Sequence, residues 1–171
     1  DVWHLVIHPY YKESYEIIRN TCLMLLQASY SSKRLIVVLS GESRAGAEME
    51  AKGKRIAEEF GSKFGKFLFT VHQDKSGELA GKGANETWAA LRAKDKIIDP
   101  LRIPYERIIV SVFDIDTITS SIYFSKLTYL YLTSERPLRT SFQPVPLFVN
   151  NIWEAPAIAR VLAFSSSFWH L

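Results

Sequence analysis

The chain predicts an α/β fold: a mostly parallel open sheet flanked by helices. Three observations lead there. Short apolar runs rich in β-branched residues, such as Leu35-Ile36-Val37-Val38-Leu39 and Ile108-Ile109-Val110, have the composition of strands buried on both faces. Between them lie stretches with apolar residues three and four apart, the spacing of helices with one buried side. Strand and helix alternate from start to end, and parallel strands need such crossovers. At 171 residues, with 47% hydrophobic and 23% charged, the chain can build a core as a single domain over 1–171.

Taken in order, Trp3 to Ile7 reads as the first strand, interrupted at Pro9, which has no amide to donate. Ser14 opens a helix with Ile17, Ile18, Cys22, Leu25 and Leu26 on its apolar face. The second strand, Leu35 to Leu39, leaves through the loop Ser40-Gly41-Glu42-Ser43. Ala45 to Phe60, rich in Ala, Glu and Lys, predicts a surface helix stopping at Gly61. Lys66 to His72 is the third strand, followed by a polar loop from Gln73 to Gly83. Ala84 to Lys94 is helical, with Trp88 and Leu91 as the expected buried side. Ile108 to Phe113 is the next buried strand, and an aromatic-rich segment follows through Leu132. Beyond several prolines come a short strand around Leu147-Phe148-Val149 and a C-terminal helix.

The formal charge of +3 and the pI of about 9.0 are mild, and the basic residues form no long tract. Nucleic acid is therefore not an expected partner. Cys22, the single cysteine, excludes an intrachain disulfide; set among Leu23, Met24, Leu25 and Leu26, it reads as a buried structural thiol. The sequence shows neither a signal-peptide pattern nor an uninterrupted apolar span, so a cytoplasmic location is expected. It begins at Asp1 and ends on the apolar Phe168-Trp169-His170-Leu171, which reads as a piece of something longer.

Asp114-Ile115-Asp116 is the most informative stretch. It lies at the carboxyl end of a strand, where open α/β sheets bind ligands. On an extended chain both carboxylates point one way and Ile115 the other. Such a pair suits a hard divalent cation that completes its shell with water or phosphate oxygens. The competing reading is a solvated turn capping a helix, because Asp114, Asp116 and Thr117 are all good N-cap residues.

Three other loops follow predicted strands. Pro9-Tyr10-Tyr11-Lys12-Glu13 offers a proline-fixed turn and an acid to a base or ribose, although Glu13 also suits helix entry. Glu42 stands ready for a ribose hydroxyl or for solvent. Gly81-Lys82-Gly83-Ala84-Asn85 brings flexible backbone, a cation and a helix start to one place, which suits phosphate. It matches neither G-x-x-x-x-G-K-[ST] nor G-x-G-x-x-G.

In order and spacing, these four loops resemble the nucleotide-binding half of family 2 glycosyltransferases of the GT-A fold, a Rossmann-like architecture. Pro9-Tyr10-Tyr11-Lys12-Glu13 is similar to the family's Pro-x-Tyr-Asn-Glu-like turn, with Lys12 where Asn is usual. Gly41-Glu42-Ser43 stands where Asp-Asp-x-Ser is usual, with Glu for Asp. Gly81-Lys82-Gly83-Ala84-Asn85 is similar to the Gly-Lys-x-x-Ala/Asn segment, and Asp114-Ile115-Asp116 to the D-x-D element. The resemblance covers roughly the first two-thirds of the chain, with an incomplete acceptor part.

The resemblance implies a metal-dependent inverting transfer from a nucleotide-diphosphate sugar to a glycan or lipid-linked acceptor. Asp116 would bind Mg²⁺ or Mn²⁺, Asp114 would share the metal or contact the donor, and Lys82 would neutralise the diphosphate. Pro9, Tyr10, Glu13, Glu42 and Asn85 would line the donor site. The catalytic base lies well beyond the D-x-D in that family. Only Glu135 and Glu154 remain after Asp116; Glu154 is the better placed of the two, though helix-start decoration explains it as well. Polysaccharide or glycolipid synthesis at the cytoplasmic face of a membrane, reached through a missing C-terminal region, is the associated expectation. A nucleotide-sugar-binding module without catalysis and a sugar-phosphate nucleotidyltransferase are the alternatives.

Overall fold

The computed structural model describes residues 2–73, 81–144 and 156–168. The chain divides into two compact units, Asp1–Glu135 and Arg136–Leu171. In the first unit four parallel strands form one sheet of order β3-β2-β1-β4: β1 (Trp3–Tyr10), β2 (Leu35–Glu42), β3 (Lys66–His72) and β4 (Ile108–Val112). The protein is therefore an α/β, Rossmann-like fold.

Helices cover both faces. On one face α1 (Tyr15–Leu26), α2 (Ala47–Phe60) and α4 (Tyr123–Thr133) bury Val6, Val37 and Leu39 against Ile18, Leu25, Ile56, Phe60 and Phe124. On the other, α3 (Lys82–Ala93) and the π turn that prolongs it (Lys94–Ile98) close over Leu5, Ile7, Ile36 and Val38. Strand alternation produces this split, since odd and even positions of β1 and β2 feed opposite cores.

Ser14 caps α1 by accepting from the Ile17 amide at 3.3 Å. The buried stripe of α1 is Ile18, Thr21, Cys22 and Leu25, one step round from the expected face, and Ile17 is exposed. The predicted helix from Ala45 is broken: a 3₁₀ turn, Ser43–Ala45, ends at Gly46, whose φ of +84° favours glycine, and α2 starts after it. Pro9 does not interrupt β1, which runs on to Tyr10 with Pro9 opposite Ser40.

Two buried-face expectations are corrected. Leu91 is exposed and Trp88 only half-buried; α3 turns Asn85, Ala89 and Ala93 to the sheet. Small side chains at 89 and 93 let the helix lie close, an advantage that outweighs burying the larger residues. Likewise β4 is an edge strand. α3 packs across β1, β2 and β3 and leaves Val110 and Val112 exposed.

In the second unit the described elements are a 3₁₀ turn, Pro137–Arg139, and α5 (Ala157–Phe168). The strand expected around Leu147 lies outside the described residues. Among the described residues no helix is long and apolar enough to cross a membrane.

Candidate functional site

All four strands run the same way, so their carboxyl ends share one edge of the sheet. From β1 the chain steps outward to β2 and β3, then crosses back through α3 to β4 on the far side of β1. The order reverses between β1 and β4, and ligands of open α/β sheets bind in the crevice at such a point.

Beyond β4, Phe113 donates its amide to the Ile7 carbonyl at 3.1 Å, and the chain then turns, with Thr117 N–H on the Asp114 carbonyl at 2.9 Å. The extended geometry expected for Asp114-Ile115-Asp116 is therefore a turn, but the division of side chains is the same. Ile115 is buried in the core, while Asp114 and Asp116 are exposed. Thr21 of α1 donates to the Ile115 carbonyl and anchors the turn. The cap reading does not describe these residues: α4 begins at Tyr123 after Ile122 and has no side-chain cap.

Lys82, the first residue of α3, reaches this turn. Its Nζ contacts Asp114 Oδ1 and lies 3.8 Å from Glu86 Oε1, one turn along α3. The third and fourth loops thus meet in an ion pair at the switch point. Asn85, three residues on, is fully buried. Its Nδ2 donates to the Ser40 carbonyl at 3.0 Å, and its Oδ1 accepts from the Ser40 hydroxyl at 2.5 Å. Asn85 thus ties the start of α3 to the end of β2 rather than presenting its amide to the cleft.

The remaining predicted residues divide in the same way. Pro9 is buried in the strand. Tyr10 is core, its hydroxyl donating to the Met49 carbonyl at 2.8 Å. Glu13 accepts from the Tyr11 amide at 2.6 Å and closes the turn before Ser14. Glu42 is buried at the end of β2, with Arg44 Nε 2.5 Å from its Oε2. Glu154 lies outside the described residues, and Glu135 is exposed.

Arg44, which lies outside every motif, and Tyr11, within the first of them, also join this edge. The Arg44 guanidinium and the Lys12 ammonium both lie over the Tyr11 ring, 5.2 Å and 5.0 Å from its centroid. Arg44 is thereby bound to both Tyr11 and Glu42. Its approach to Tyr11 depends on the 3₁₀ turn after β2, which periodicity does not reveal. His8 and His72, near the carboxyl ends of β1 and β3, are both buried. His8 packs on Phe113, its two ring nitrogens without hydrogen-bond partners among the described residues. Burial lowers its pKa to about 4, against the weaker opposing pull of the Asp114 and Phe113 backbone and then of the Asp114 charge. A depression of about 300 Å³ lined by Arg136, Pro137, Leu138 and Arg139 belongs to the second unit and bears no carboxylate.

Among the described residues no group of three or more His, Cys, Asp and Glu side chains is arranged to enclose a metal. The donor set instead fits a cation held by one or two carboxylates and completed by phosphate oxygens, the usual mode of Mg²⁺. Asp114 already holds a cation, the Lys82 ammonium, which shows that a positive charge fits there. No protein-family profile matches the chain, and no curated protein matches it.

Proposed function

We propose that the first unit binds a nucleotide-diphosphate sugar at the β1/β4 switch point and belongs to a metal-dependent inverting glycosyltransferase of the GT-A type. The observation that carries this reading is the meeting of Lys82 with Asp114, one residue from Asp116, at that edge. Anion-binding and cation-binding groups placed side by side suit a diphosphate with its counter-ion. Asp116 and Asp114 would hold Mg²⁺ or Mn²⁺, and the bound ion would supply positive charge to the departing diphosphate oxygens. Lys82 adds a second positive charge there, carried on the first turn of α3. Tyr11, Arg44 and Glu42 flank the end of the edge formed by β1 and β2 and offer an aromatic face and hydrogen-bonding groups to the nucleoside.

In the proposed reaction an acceptor hydroxyl forms a bond to the anomeric carbon. The bond to the nucleoside diphosphate breaks on the opposite side, inverting that centre. The hydroxyl proton passes to a carboxylate base outside the groups described above. A glycan or lipid-linked acceptor is part of the same proposal.

Calorimetry with UDP- and GDP-sugars, with and without Mn²⁺, tests the reading. Metal-dependent binding that is lost in Asp116→Ala supports it. Binding indifferent to both metal and substitution overturns it.

A further inference from the structure

We propose that Lys82 is the resting counter-ion of Asp114 and, by changing partners, couples cation binding to donor binding; this builds on the D-x-D reading above. Four features of the site lead to it. Lys82 already occupies Asp114, the carboxylate that a divalent ion would share with Asp116. Glu86 offers the ammonium a second position 3.8 Å away, so it has somewhere to go. The Lys82 side chain is more than half exposed, so its long stem can swing through solvent. Its base is nonetheless fixed, because Asn85 pins the first turn of α3 to β2.

The Lys82 and Asp114 side chains are 53% and 64% exposed, so their attraction is screened by water and the pair is easily exchanged. In the empty site a divalent ion must displace the ammonium from Asp114 and is repelled by it. When a diphosphate is present, its oxygens give the ammonium a better partner, and Asp114 is released to the metal. Nucleotide therefore raises metal affinity, and by linkage metal raises nucleotide affinity by the same factor. Phosphate neutralisation alone requires no such competition. Here one lysine suppresses metal binding before the donor arrives and supports it afterwards.

The test is Mn²⁺ binding, followed by electron paramagnetic resonance of the free ion, with and without UDP or GDP. The proteins are wild type, Lys82→Met, Lys82→Arg, Lys12→Met and Asp116→Ala. Lys82→Met is expected to bind Mn²⁺ alone about three-fold more tightly, the size expected for removal of an exposed partner. Its enhancement by nucleotide should shrink, Lys82→Arg should keep much of the wild-type coupling, and Lys12→Met should bind Mn²⁺ like wild type. Equal affinity of wild type and Lys82→Met for Mn²⁺ alone, with binding still lost in Asp116→Ala, overturns the coupling and leaves the metal site standing. Equal tightening in Lys82→Met and Lys12→Met also overturns it, as general electrostatics. No saturable Mn²⁺ binding in either state overturns the metal site and the coupling together.

Discussion

Asn85 and Ser40 exchange two hydrogen bonds in the core, 2.5 Å between side chains and 3.0 Å from the amide to the Ser40 carbonyl. This pair joins the carboxyl end of β2 to the first turn of α3 and so sets where Lys82 stands. Asn85→Ala removes both bonds and leaves buried Ser40 groups unpaired, with an expected loss of about 2–3 kcal/mol. Ser40→Ala keeps the bond to the main-chain carbonyl and should cost about 1 kcal/mol. Urea unfolding measures both; equal, negligible losses would show that the pair does not hold the helix.

Gly53 lies in α2, where alanine would ordinarily be worth about 1 kcal/mol more than glycine. A Cβ there would meet the Phe69 ring at 2.2 and 2.5 Å and the Tyr10 hydroxyl at 2.5 Å. Both neighbours pack in the core, so the overlap should prevail and Gly53→Ala should be net destabilising by about 1–3 kcal/mol. A midpoint of urea unfolding at or above that of wild type would contradict this.

His4 and His8 are buried, and burial lowers each pKa from 6.5 to about 4. In the unfolded chain both bind protons near their ordinary pKa, while the folded protein resists until a lower pH. Between these values the unfolded state holds more protons, so stability falls as pH drops from about 6.5 towards 4. Each histidine contributes roughly 3 kcal/mol to that fall if the full shift holds. Urea titrations at stepped pH should show a shallower slope in this window for His8→Gln.

Cys22 is buried between α1 and the sheet, and burial pushes its thiol up to about 12. Ellman's reagent needs an accessible thiolate. Labelling in native buffer at pH 8 should therefore be slow and become immediate in denaturant. Immediate native labelling would show that the α1 face opens readily.

Much of the fold is legible from local pattern alone. Apolar β-branched runs mark β2 and β4, Ser14 marks the start of α1, and Lys66–His72 is a strand to the residue. Misread faces, as at Ile17 and Leu91, share one cause. Periodicity shows that a helix has an apolar side, but its rotation depends on what it packs against. α3 presents Ala89 and Ala93 to the sheet, and no local signal reports which side of a helix its neighbours will cover.

The candidate site divides along the same line. The residue types at the strand ends follow from the sequence, and strand–helix alternation brings them to one sheet edge. Which groups face the cleft does not follow. Tyr10 and Asn85 have the expected chemistry but bury it, on Met49 and Ser40. Arg44 and Tyr11 meet only because the turn after β2 folds back towards β1.

By itself, then, the sequence determined the α/β class, most element positions and the pairing of Asp114 with Asp116 around a buried Ile115. Those depend on short-range periodicity and on which side chains avoid water. Only the tertiary structure decided that β4 is an edge strand, that the order reverses beside β1, and that Lys82 stands on Asp114. These are relations between segments 32 or more residues apart, such as Lys82 and Asp114, set by packing across the sheet.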